Sequence, residues 1–382
     1  MRDDFLVFGS PRIEEAEIAE VVACLRSGWI GTGPRVRKFE QAFCAYKGIS
    51  HAAALNSATA GLHLSCLALG LGPGDEVITT AMTFCATVNA IIHSGATPVL
   101  ADIDPETGNI DAARIAEKIT SRTKALLIVH LAGRPCDMDA LMKLAKERHL
   151  FVIEDCAHAI ETEYHGVPAG TMGDCGVFSF YVTKNMTTSE GGMVVSRNKD
   201  FISRIKMLAL HGMSLDAWQR FSDKGYKHYF VEAAGFKYNM TDLQAALGIH
   251  QLERVDRCWQ RREQIWRKYM EAFTDLPLEL PAAPDRNTRH AYHLFQLQVG
   301  PRAGIARDQF MEQMTERKIG VGVHYLAIPE HPFYQRTYGW RLEDYPAATA
   351  FGRQTVSIPL SAKLTDQDVD DVICAVRDLI GA

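Results

Sequence analysis

The sequence has no excess of positive charge and no long apolar run. Its 382 residues include 41 Lys and Arg against 46 Asp and Glu, which gives a formal net charge of −5. A chain without a basic excess lacks the electrostatic field that non-specific binding to nucleic acid requires, so we expect no nucleic-acid partner. No apolar run approaches the roughly 20 residues that a membrane-spanning helix needs. We therefore expect no membrane partner either.

The nine cysteines include no Cys-x-x-Cys pair, so a zinc ribbon is not indicated and no metal is expected. An odd, scattered set of cysteines within apolar stretches is typical of reduced thiols in the cytosol. The first twelve residues, MRDDFLVFGSPR, lack the basic and apolar regions of a signal peptide. The sequence therefore predicts a cytoplasmic protein.

Short apolar runs alternate with segments of helical periodicity from residue 51 onwards. This alternation predicts an α/β fold with a mixed, mostly parallel sheet that is covered on both faces. In such a sheet, ligands bind at the carboxyl ends of the strands. The predicted strands of this part are 51–55, 75–80, 97–103, 124–131 and 150–155, with helices between them.

The rest of the chain is less regular. A first helix is predicted from Ser10-Pro11 to Ser27-Gly28, because Ser suits an N-cap and Pro the first helical position. Further strands are predicted at 175–180 and 192–196. An apolar stripe predicts one long helix over 241–273.

The stretch PLELPAAPDRNTRH (277–290) is rich in proline and polar residues and is predicted to be a connecting segment. Beyond it a smaller α+β unit fits the pattern. We therefore predict a large α/β domain over residues 1–250, and a small C-terminal α+β domain over residues 251–382 that includes the long helix.

The stretch NSATA (56–60) lies between the first predicted strand of the sheet and the helix that follows. Free N–H groups at a helix N-terminus, together with the hydroxyls of Ser57 and Thr59, suit the binding of a phosphate. Plain helix capping by Ser57 explains the same residues. The stretch alone does not separate these two interpretations.

Asp155 and His158 lie in VIEDCAHA (152–159), where an apolar strand ends. A carboxylate at this place can keep a pyridine nitrogen protonated, which makes the ring an electron sink, and His158 can hydrogen-bond a ring oxygen. In the alternative interpretation Asp155 caps the next helix and His158 is an ordinary buried histidine.

Ser179 and Lys184 follow the next predicted strand, in FSFYVTKNMTTSEGG (178–192). A lysine in a partly dry site has a lowered pKa and becomes nucleophilic towards an aldehyde. A solvated lysine at a strand end is the common alternative. The combination is more specific, because a phosphate site, a carboxylate for a pyridine and a later lysine, in this order, predict a site for pyridoxal 5′-phosphate (PLP).

With these motifs the chain resembles the DegT-type sugar aminotransferases, which are PLP enzymes of fold type I that aminate keto groups of nucleotide-linked sugars. It is similar in particular to enzymes that act at carbon 4 of UDP-linked sugars, such as that of the aminoarabinose pathway. The resemblance extends from SGWIGTGP (27–34) to SIPL (357–360). Other matching stretches are GDEVITT (74–80), GATPVLADID (95–104), VHLAGRPCDMD (129–139), GFKYNMTDLQAALG (235–248) and GVHY (322–325).

The resemblance implies a role for each matched residue. Lys184 would be the Schiff-base lysine and would also move the proton, while Asp155 would pair with the pyridinium nitrogen and His158 would lie near the ring oxygen. The other cofactor-binding residues would be Ser57, Ala58, Thr59, Phe84, Ser179 and, from the second subunit of a homodimer with shared active sites, Asn239. The residues near the sugar nucleotide would be Trp29, Thr32, Tyr181, His324 and Tyr325.

The sequence departs from the family pattern at three positions. Tyr181 stands where many members have His, and Phe84 stands where the aromatic residue that stacks on the cofactor is often Trp or Tyr. Any aromatic face can stack, so the second change keeps the contact. Ser189 stands where Gly is frequent. The first departure bears on the substrate, because Tyr181 would line the sugar pocket.

The implied activity is transfer of an amino group from L-glutamate to a keto group of a nucleotide-linked sugar, at carbon 4, for cell-surface glycans or secondary metabolites. One family branch replaces the lysine by His and dehydrates sugars, and Lys184 argues against that branch. A PLP-dependent dehydratase, an aminotransferase for a cyclitol or benzoate precursor, and a PLP-fold binding or regulatory protein remain as alternatives. A dehydrogenase is disfavoured because no Gly-x-Gly-x-x-Gly follows the first strand.

Overall fold

The structure, a computed structural model, describes residues 2–214 and 229–381. In this part of the chain the strands are β1 (His51–Leu55), β2 (Glu76–Thr80), β3 (Thr97–Ala101), β4 (Thr123–Val129), β5 (Phe151–Asp155), β6 (Glu163–Tyr164), β7 (Val167–Pro168), β8 (Cys175–Ser179), β9 (Gly192–Ser196), β10 (Thr288–Arg289), β11 (Phe295–Gln298) and β12 (Thr355–Ile358). The α-helices are α1 (Glu15–Ser27), α2 (Pro34–Lys47), α3 (Ala58–Ala68), α4 (Cys85–His93), α5 (Ala112–Ala116), α6 (Met138–Arg148), α7 (Lys199–Ala209), α8 (Asp242–Glu253), α9 (Val255–Phe273), α10 (Arg307–Glu316), α11 (Pro332–Tyr338), α12 (Pro346–Gln354) and α13 (Asp366–Ile380).

Seven strands form one sheet in the order β1-β9-β8-β5-β4-β2-β3. The strands β3, β2, β4, β5 and β8 pair in parallel, whereas β9 is antiparallel to both β8 and β1. This confirms the predicted α/β fold with a mixed, mostly parallel sheet. The strands predicted between residues 51 and 155 are found within a few residues of their expected bounds.

Helices cover both faces of the sheet, and this explains why its strands are continuous apolar runs. Ile153 of β5 belongs to a buried cluster with Leu64 of α3 and Ile205 of α7. Its neighbour Val152 belongs to a cluster on the other side with Leu141 of α6. Successive residues of a strand face opposite sides, so both sides of β5 must be apolar.

The C-terminal part has a core of its own. Tyr269 of α9, Phe295 of β11, Phe310 of α10 and Val372 of α13 are fully buried in one cluster. There β11 and β12 form a two-stranded antiparallel sheet. The predicted division of the chain near residue 250 stays a prediction.

Two predicted helices differ from those observed. The predicted helix over 241–273 is two helices, because the backbone of Arg254 leaves the helical conformation (φ −113°, ψ 8°) between α8 and α9. The guanidinium of Arg254 lies against Glu14 and Glu17, which ties the break to α1. The first helix starts at Glu15 and not at Ser10-Pro11, because Glu14 and Glu17 form a capping box.

The carboxyl ends of several strands meet at one edge of the sheet. Val129 of β4 pairs with Asp155 of β5, and Asp155 pairs with Val177 of β8. At the same level Gly192, the first residue of β9, pairs with both Ser179 and Leu55. The loops that follow β1, β2, β5 and β8 therefore open towards a common region, as the strand order requires.

Over residues 2–214 and 229–381, no helix is both long enough and apolar enough to cross a bilayer.

Candidate active site

A cavity of about 490 Å³ opens at this edge of the sheet. Its lining includes most of the residues that the sequence predicts to bind cofactor or substrate, although they come from loops that are far apart in the chain. The predicted residues that it brings together are Ser57, Ala58, Thr59, Phe84, Asp155, His158, Ser179, Tyr181, Lys184, His324 and Tyr325.

The N-terminus of α3 forms one end of this site. Ser57 is its N-cap and accepts a hydrogen bond from the N–H of Ala60 through Oγ at 3.1 Å. The N–H groups of Ala58 and Thr59, in the first turn, have no partner within the helix. Gly192 lies so close that a Cβ there would be 2.5 Å from the nitrogen of Ala58. Glycine thus lets β9 approach a helix terminus whose dipole and free N–H groups suit a phosphate.

Asp155, the last residue of β5, presents a buried carboxylate to the cavity. Its Oδ1 accepts a hydrogen bond from the N–H of Ala157 at 3.1 Å, and its Oδ2 accepts one from the hydroxyl of Thr87 at 2.9 Å. Burial raises the pKa of Asp155. The two hydrogen bonds and the charge of Lys184 lower this pKa by less, so it remains above its usual value. Such a carboxylate is stabilised by a cation placed opposite it, and a protonated pyridine nitrogen is one.

His158 is held in a single neutral form. Burial and the charge of Lys184 lower its pKa well below the usual value. Its Nδ1 accepts the N–H of Ala132 at 3.2 Å, so the proton of the neutral ring is on Nε2. That N–H donates to the hydroxyl oxygen of Tyr325 at 3.0 Å, and the hydroxyl hydrogen of Tyr325 is left free to donate elsewhere.

Lys184 lies on the loop between β8 and β9 and lines the cavity. Burial lowers the pKa of Lys184 to about 8, although the charge of Asp155 acts in the opposite direction. Within residues 2–214 and 229–381, its amino group has no hydrogen bond or ion pair to the protein. A lysine of this kind is partly neutral near physiological pH and can attack an aldehyde.

Aromatic rings also line the cavity. Phe84 is 55 % exposed and lies with its ring centroid 5.7 Å from that of Tyr325. An aromatic side chain that remains exposed in a cavity offers a face on which a flat ring can stack. Together, the helix terminus, the Asp155 carboxylate, the Lys184 amine and the Phe84 ring fit the phosphate, nitrogen, aldehyde and ring face of PLP.

Three predicted site residues lie outside this cavity. The indole N–H of Trp29 donates to the carbonyl of Thr32 at 3.1 Å, and Asn239 Nδ2 donates to the hydroxyl of Thr32 at 2.6 Å. The Thr32 hydroxyl donates in turn to the carbonyl of Met240. These contacts place Trp29, Thr32 and Asn239 in a cluster of their own. Their contacts with cofactor or substrate stay a prediction.

Several lining residues are absent from the sequence-based set. Thr87, which holds Asp155, gave no signal because a threonine inside a predicted helix is ordinary. Asn185 directly follows Lys184 in the stretch FSFYVTKNMTTSEGG, but its neighbour His293 lies far along the chain. Ser189, which does not line the cavity, has a φ of +68°, a conformation that glycine adopts easily, and this explains why Gly is frequent at its position.

His130, Glu154 and Cys156 also lie close together, with possible metal-ligating atoms within 4.8 Å of one another. The carboxylate of Glu154 is already used, because it accepts hydrogen bonds from His130 and from the N–H groups of Gly170, Met172 and Gly173. This group therefore serves to hold the end of β5.

Comparison with known proteins shows similarity to an aminotransferase family over nearly the whole chain. The profile of the DegT/DnrJ/EryC1/StrS aminotransferase family matches residues 11–377. The chain is 46 % identical to the spore coat polysaccharide biosynthesis protein SpsC of Bacillus subtilis, over 99 % of this chain and 98 % of SpsC.

Solved structures are also similar. The putative sugar aminotransferase Spr1654 from Streptococcus pneumoniae, in its PMP form, has a TM-score of 0.93 and 34 % identity, over 98 % of this chain and 99 % of Spr1654. The same protein has been solved in a PLP form. Helicobacter pylori PseC, an aminotransferase involved in the biosynthesis of pseudoaminic acid, has a TM-score of 0.91 and 28 % identity, over 99 % of this chain and 100 % of PseC.

The lowered pKa of Lys184 leads to a prediction about its reactivity. In the cofactor-free protein, we expect labelling of Lys184 by fluorodinitrobenzene to rise with pH around a midpoint near 8, whereas an ordinary lysine titrates above pH 10. Asp155→Asn should move this midpoint to lower pH, because the charge of Asp155 raises the pKa of Lys184. Peptide mass spectrometry at a series of pH values measures both effects.

Lys47 is the internal control. Burial lowers its pKa to about 8 as well, but its amino group donates to the carbonyl of Ile160 at 3.1 Å and is enclosed away from the cavity. It should stay unlabelled. A Lys184 midpoint above pH 10, or equal labelling of the two lysines, would contradict this account.

Proposed function

The chain belongs to the DegT/DnrJ/EryC1/StrS aminotransferase family and is a PLP-dependent transaminase, and we propose that it moves an amino group from L-glutamate to the keto group at carbon 4 of a nucleotide-linked sugar. The observation that carries this proposal is the pair of Lys184 and Asp155 in one cavity beside the N-terminus of α3. SpsC, Spr1654 and PseC, the relatives described above, support a sugar as the substrate.

The chemistry of the proposal divides between the cofactor and the protein. When bound, PLP supplies an aldehyde and an electron-withdrawing ring that stabilises negative charge on the donor's α-carbon. Asp155 keeps the ring nitrogen protonated, and Thr87 orients the carboxylate for this task. The N-terminus of α3, with Ser57, Ala58, Thr59 and nearby Ser179, holds the phosphate.

Lys184 moves the proton. With a pKa of about 8, its amine exists partly in the neutral form near neutral pH, and in this form it can take a proton from the donor's α-carbon. The protonated ammonium can then return that proton to a neighbouring atom. His158, which is buried, and Tyr325 line the same space and exclude water, which protects these steps from hydrolysis at the wrong stage.

The sugar nucleotide is proposed to enter past Tyr181, His324 and Tyr325, all of which line the cavity. Tyr181 is 44 % exposed, so its hydroxyl is available to a ligand. Because the donor and the acceptor bind in turn to the same cavity, the reaction is expected to follow ping-pong kinetics.

We also propose that the protein works in the cytoplasm as a homodimer. All nine cysteines are free thiols, which suits a reducing compartment. On α1 the side chains of Ile18, Val22 and Leu25 share one face and are 47 %, 36 % and 54 % exposed. A contiguous exposed apolar face supports an interface with a second copy. In that dimer Asn239, Trp29 and Thr32 would reach the partner's cavity.

The donor half-reaction can be tested by absorption spectroscopy. We expect the PLP-loaded protein to show a yellow band that L-glutamate converts to the pyridoxamine form. Lys184→Ala should lower turnover at least about 10³-fold, because it removes the proton-transferring group. Asp155→Asn should slow the conversion by glutamate, because the electron sink is weakened. Lys199→Ala, at an exposed lysine on α7, is the matched control and should behave as wild type.

The acceptor half-reaction can be tested on the same sample by absorption spectroscopy. UDP- and dTDP-linked 4-keto sugars should restore the yellow band after glutamate has bleached it. A PLP band that ignores glutamate would contradict the aminotransferase proposal and favour a dehydratase or a binding protein. If keto-cyclitols alone restored the yellow band, this result would contradict the proposal that the acceptor is a nucleotide-linked sugar.

The dimer can be tested by light scattering coupled to size-exclusion chromatography. We expect the wild type at twice the mass of the chain, and the double variant Ile18→Asp/Leu25→Asp shifted towards monomer, because both charges would be buried in the interface. Val167→Asp, at an exposed apolar residue of β7, should leave the dimer intact. A monomeric wild type would refute the dimer.

A further inference from the structure

Two histidines with their rings in contact lie in the wall of the cavity. The rings of His158 and His293 have centroids 4.4 Å apart and an interplanar angle of 35°. Both side chains are more than nine-tenths buried, and both line the cavity. Burial and the charge of Lys184 lower the pKa of His293 well below its usual value, as they do for His158. Both rings are therefore neutral, and each carries one proton.

The proton of His293 is located by Asn185. The Asn185 Nδ2 atom donates to Glu161 Oε2 at 2.7 Å and to the carbonyl of Ala291 at 3.0 Å, and both of these atoms can only accept. The amide orientation of Asn185 is thereby fixed, so its Oδ1 is the atom that faces His293 Nδ1 at 2.9 Å. Since that oxygen accepts, Nδ1 carries the proton and Nε2 carries a lone pair.

A buried ion pair keeps Asn185 in this orientation. Arg262 of α9 donates to Glu161 Oε1, and its Nε also donates to the carbonyl of Ala291 at 3.4 Å. Arg262 and Glu161 are both buried, so neither can turn towards solvent without a large cost. The tautomer of His293 is thus set by a network that reaches from the small C-terminal part to the residue beside Lys184.

The Nε2 atom of His293 is left without a protein partner among the residues that the structure describes. His158 next to it has both nitrogens in use, through Ala132 and Tyr325. An acceptor that faces a cavity, on a buried ring that two other contacts hold in place, is arranged to receive a hydrogen bond from a ligand.

The kinds of group that enter this cavity can be compared. Carboxylates and phosphates are acceptors only, and the Nε2 lone pair would repel them. An ammonium group can donate, but the charges of Lys184 and Arg262, which already act on His293, would repel it. A hydroxyl is a neutral donor and meets neither obstacle.

We propose that His293 Nε2 accepts a hydrogen bond from a hydroxyl of the sugar that this enzyme aminates, and so contributes to recognition of the sugar; this inference rests on the proposed function. His293 then distinguishes the acceptor substrate from the amino donor, although both use the same cavity.

A pair of variants separates this role from a structural one. In His293→Asn, the amide lies where Nδ1 was, so the bond to Asn185 can be kept while the acceptor at Nε2 is lost. In His293→Gln, the longer side chain can place an amide oxygen near the Nε2 position but loses the bond to Asn185. The probes are UDP-glucose and dTDP-glucose, which carry hydroxyls but no keto or amino group and therefore do not react.

Binding is measured by calorimetry on the PLP-loaded protein, with UDP and dTDP alone as references. The quantity compared is the ratio of the affinity for UDP-glucose or dTDP-glucose to the affinity for the bare nucleotide. We expect this ratio to fall about tenfold in His293→Asn and to be largely kept in His293→Gln. Binding of the bare nucleotides should not change. Melting temperatures should show the reverse order, with His293→Gln the less stable variant.

The other outcomes are distinct. If glucose adds the same affinity in His293→Asn as in the wild type, the inference is overturned and the proposed function is left standing. The same follows from a slower spectral response to glutamate in His293→Asn with normal sugar binding, since the ligand would then be the ammonium group. If glucose adds no affinity in the wild type, the sugar substrate itself is wrong and the inference falls with it.

Discussion

Two adjacent carboxylates at the end of β5 determine how the site is built. Successive residues of a strand face opposite sides, so Glu154 and Asp155 point to different faces of the sheet although both are buried. Burial alone would raise the pKa of Glu154, but hydrogen bonds from His130, Gly173 and Gly170 outweigh it and lower that pKa. From the described residues the Asp155 carboxylate receives only two hydrogen bonds, and its pKa is raised. The protein thus satisfies one charge completely and leaves the other for a cationic ligand.

The same logic extends through the polar interior around the cavity. In the group of Arg262, Glu161 and Asn185, both carboxylate oxygens of Glu161 and the whole amide of Asn185 have protein partners, and these contacts fix a tautomer. Among the described residues the amine of Lys184 is left without such a partner, and Lys184 lines the cavity. A polar atom of this kind is stabilised when a ligand supplies the missing hydrogen bond, so this amine is a candidate contact for a ligand.

The fold could be predicted in large part, because each strand of the sheet is a short apolar run and each helix between residues 57 and 148 shows its own periodicity. Lys184, Asp155 and Ser57 could be found because a phosphate site, a carboxylate and a later lysine follow predicted strands in this order, whereas each residue alone has an ordinary interpretation. The break at Arg254 could not be predicted, since the apolar stripe continues through it and only contacts with Glu14 and Glu17 reveal it. His293 was missed for a related reason. It is joined to the Lys184 loop by a hydrogen bond to Asn185, which lies 108 positions away in the chain, so no local pattern reveals it.

The most direct test of the account is reduction of the PLP-loaded protein with sodium borohydride, followed by peptide mass spectrometry. Reduction makes the link between the cofactor and its lysine permanent, so the labelled peptide identifies the attachment site. The account predicts one pyridoxyl group per chain, on Lys184, and its disappearance when L-glutamate is added before the borohydride. A label on any other lysine, or none at all, would contradict the assignment of Lys184 and with it the role given to Asp155.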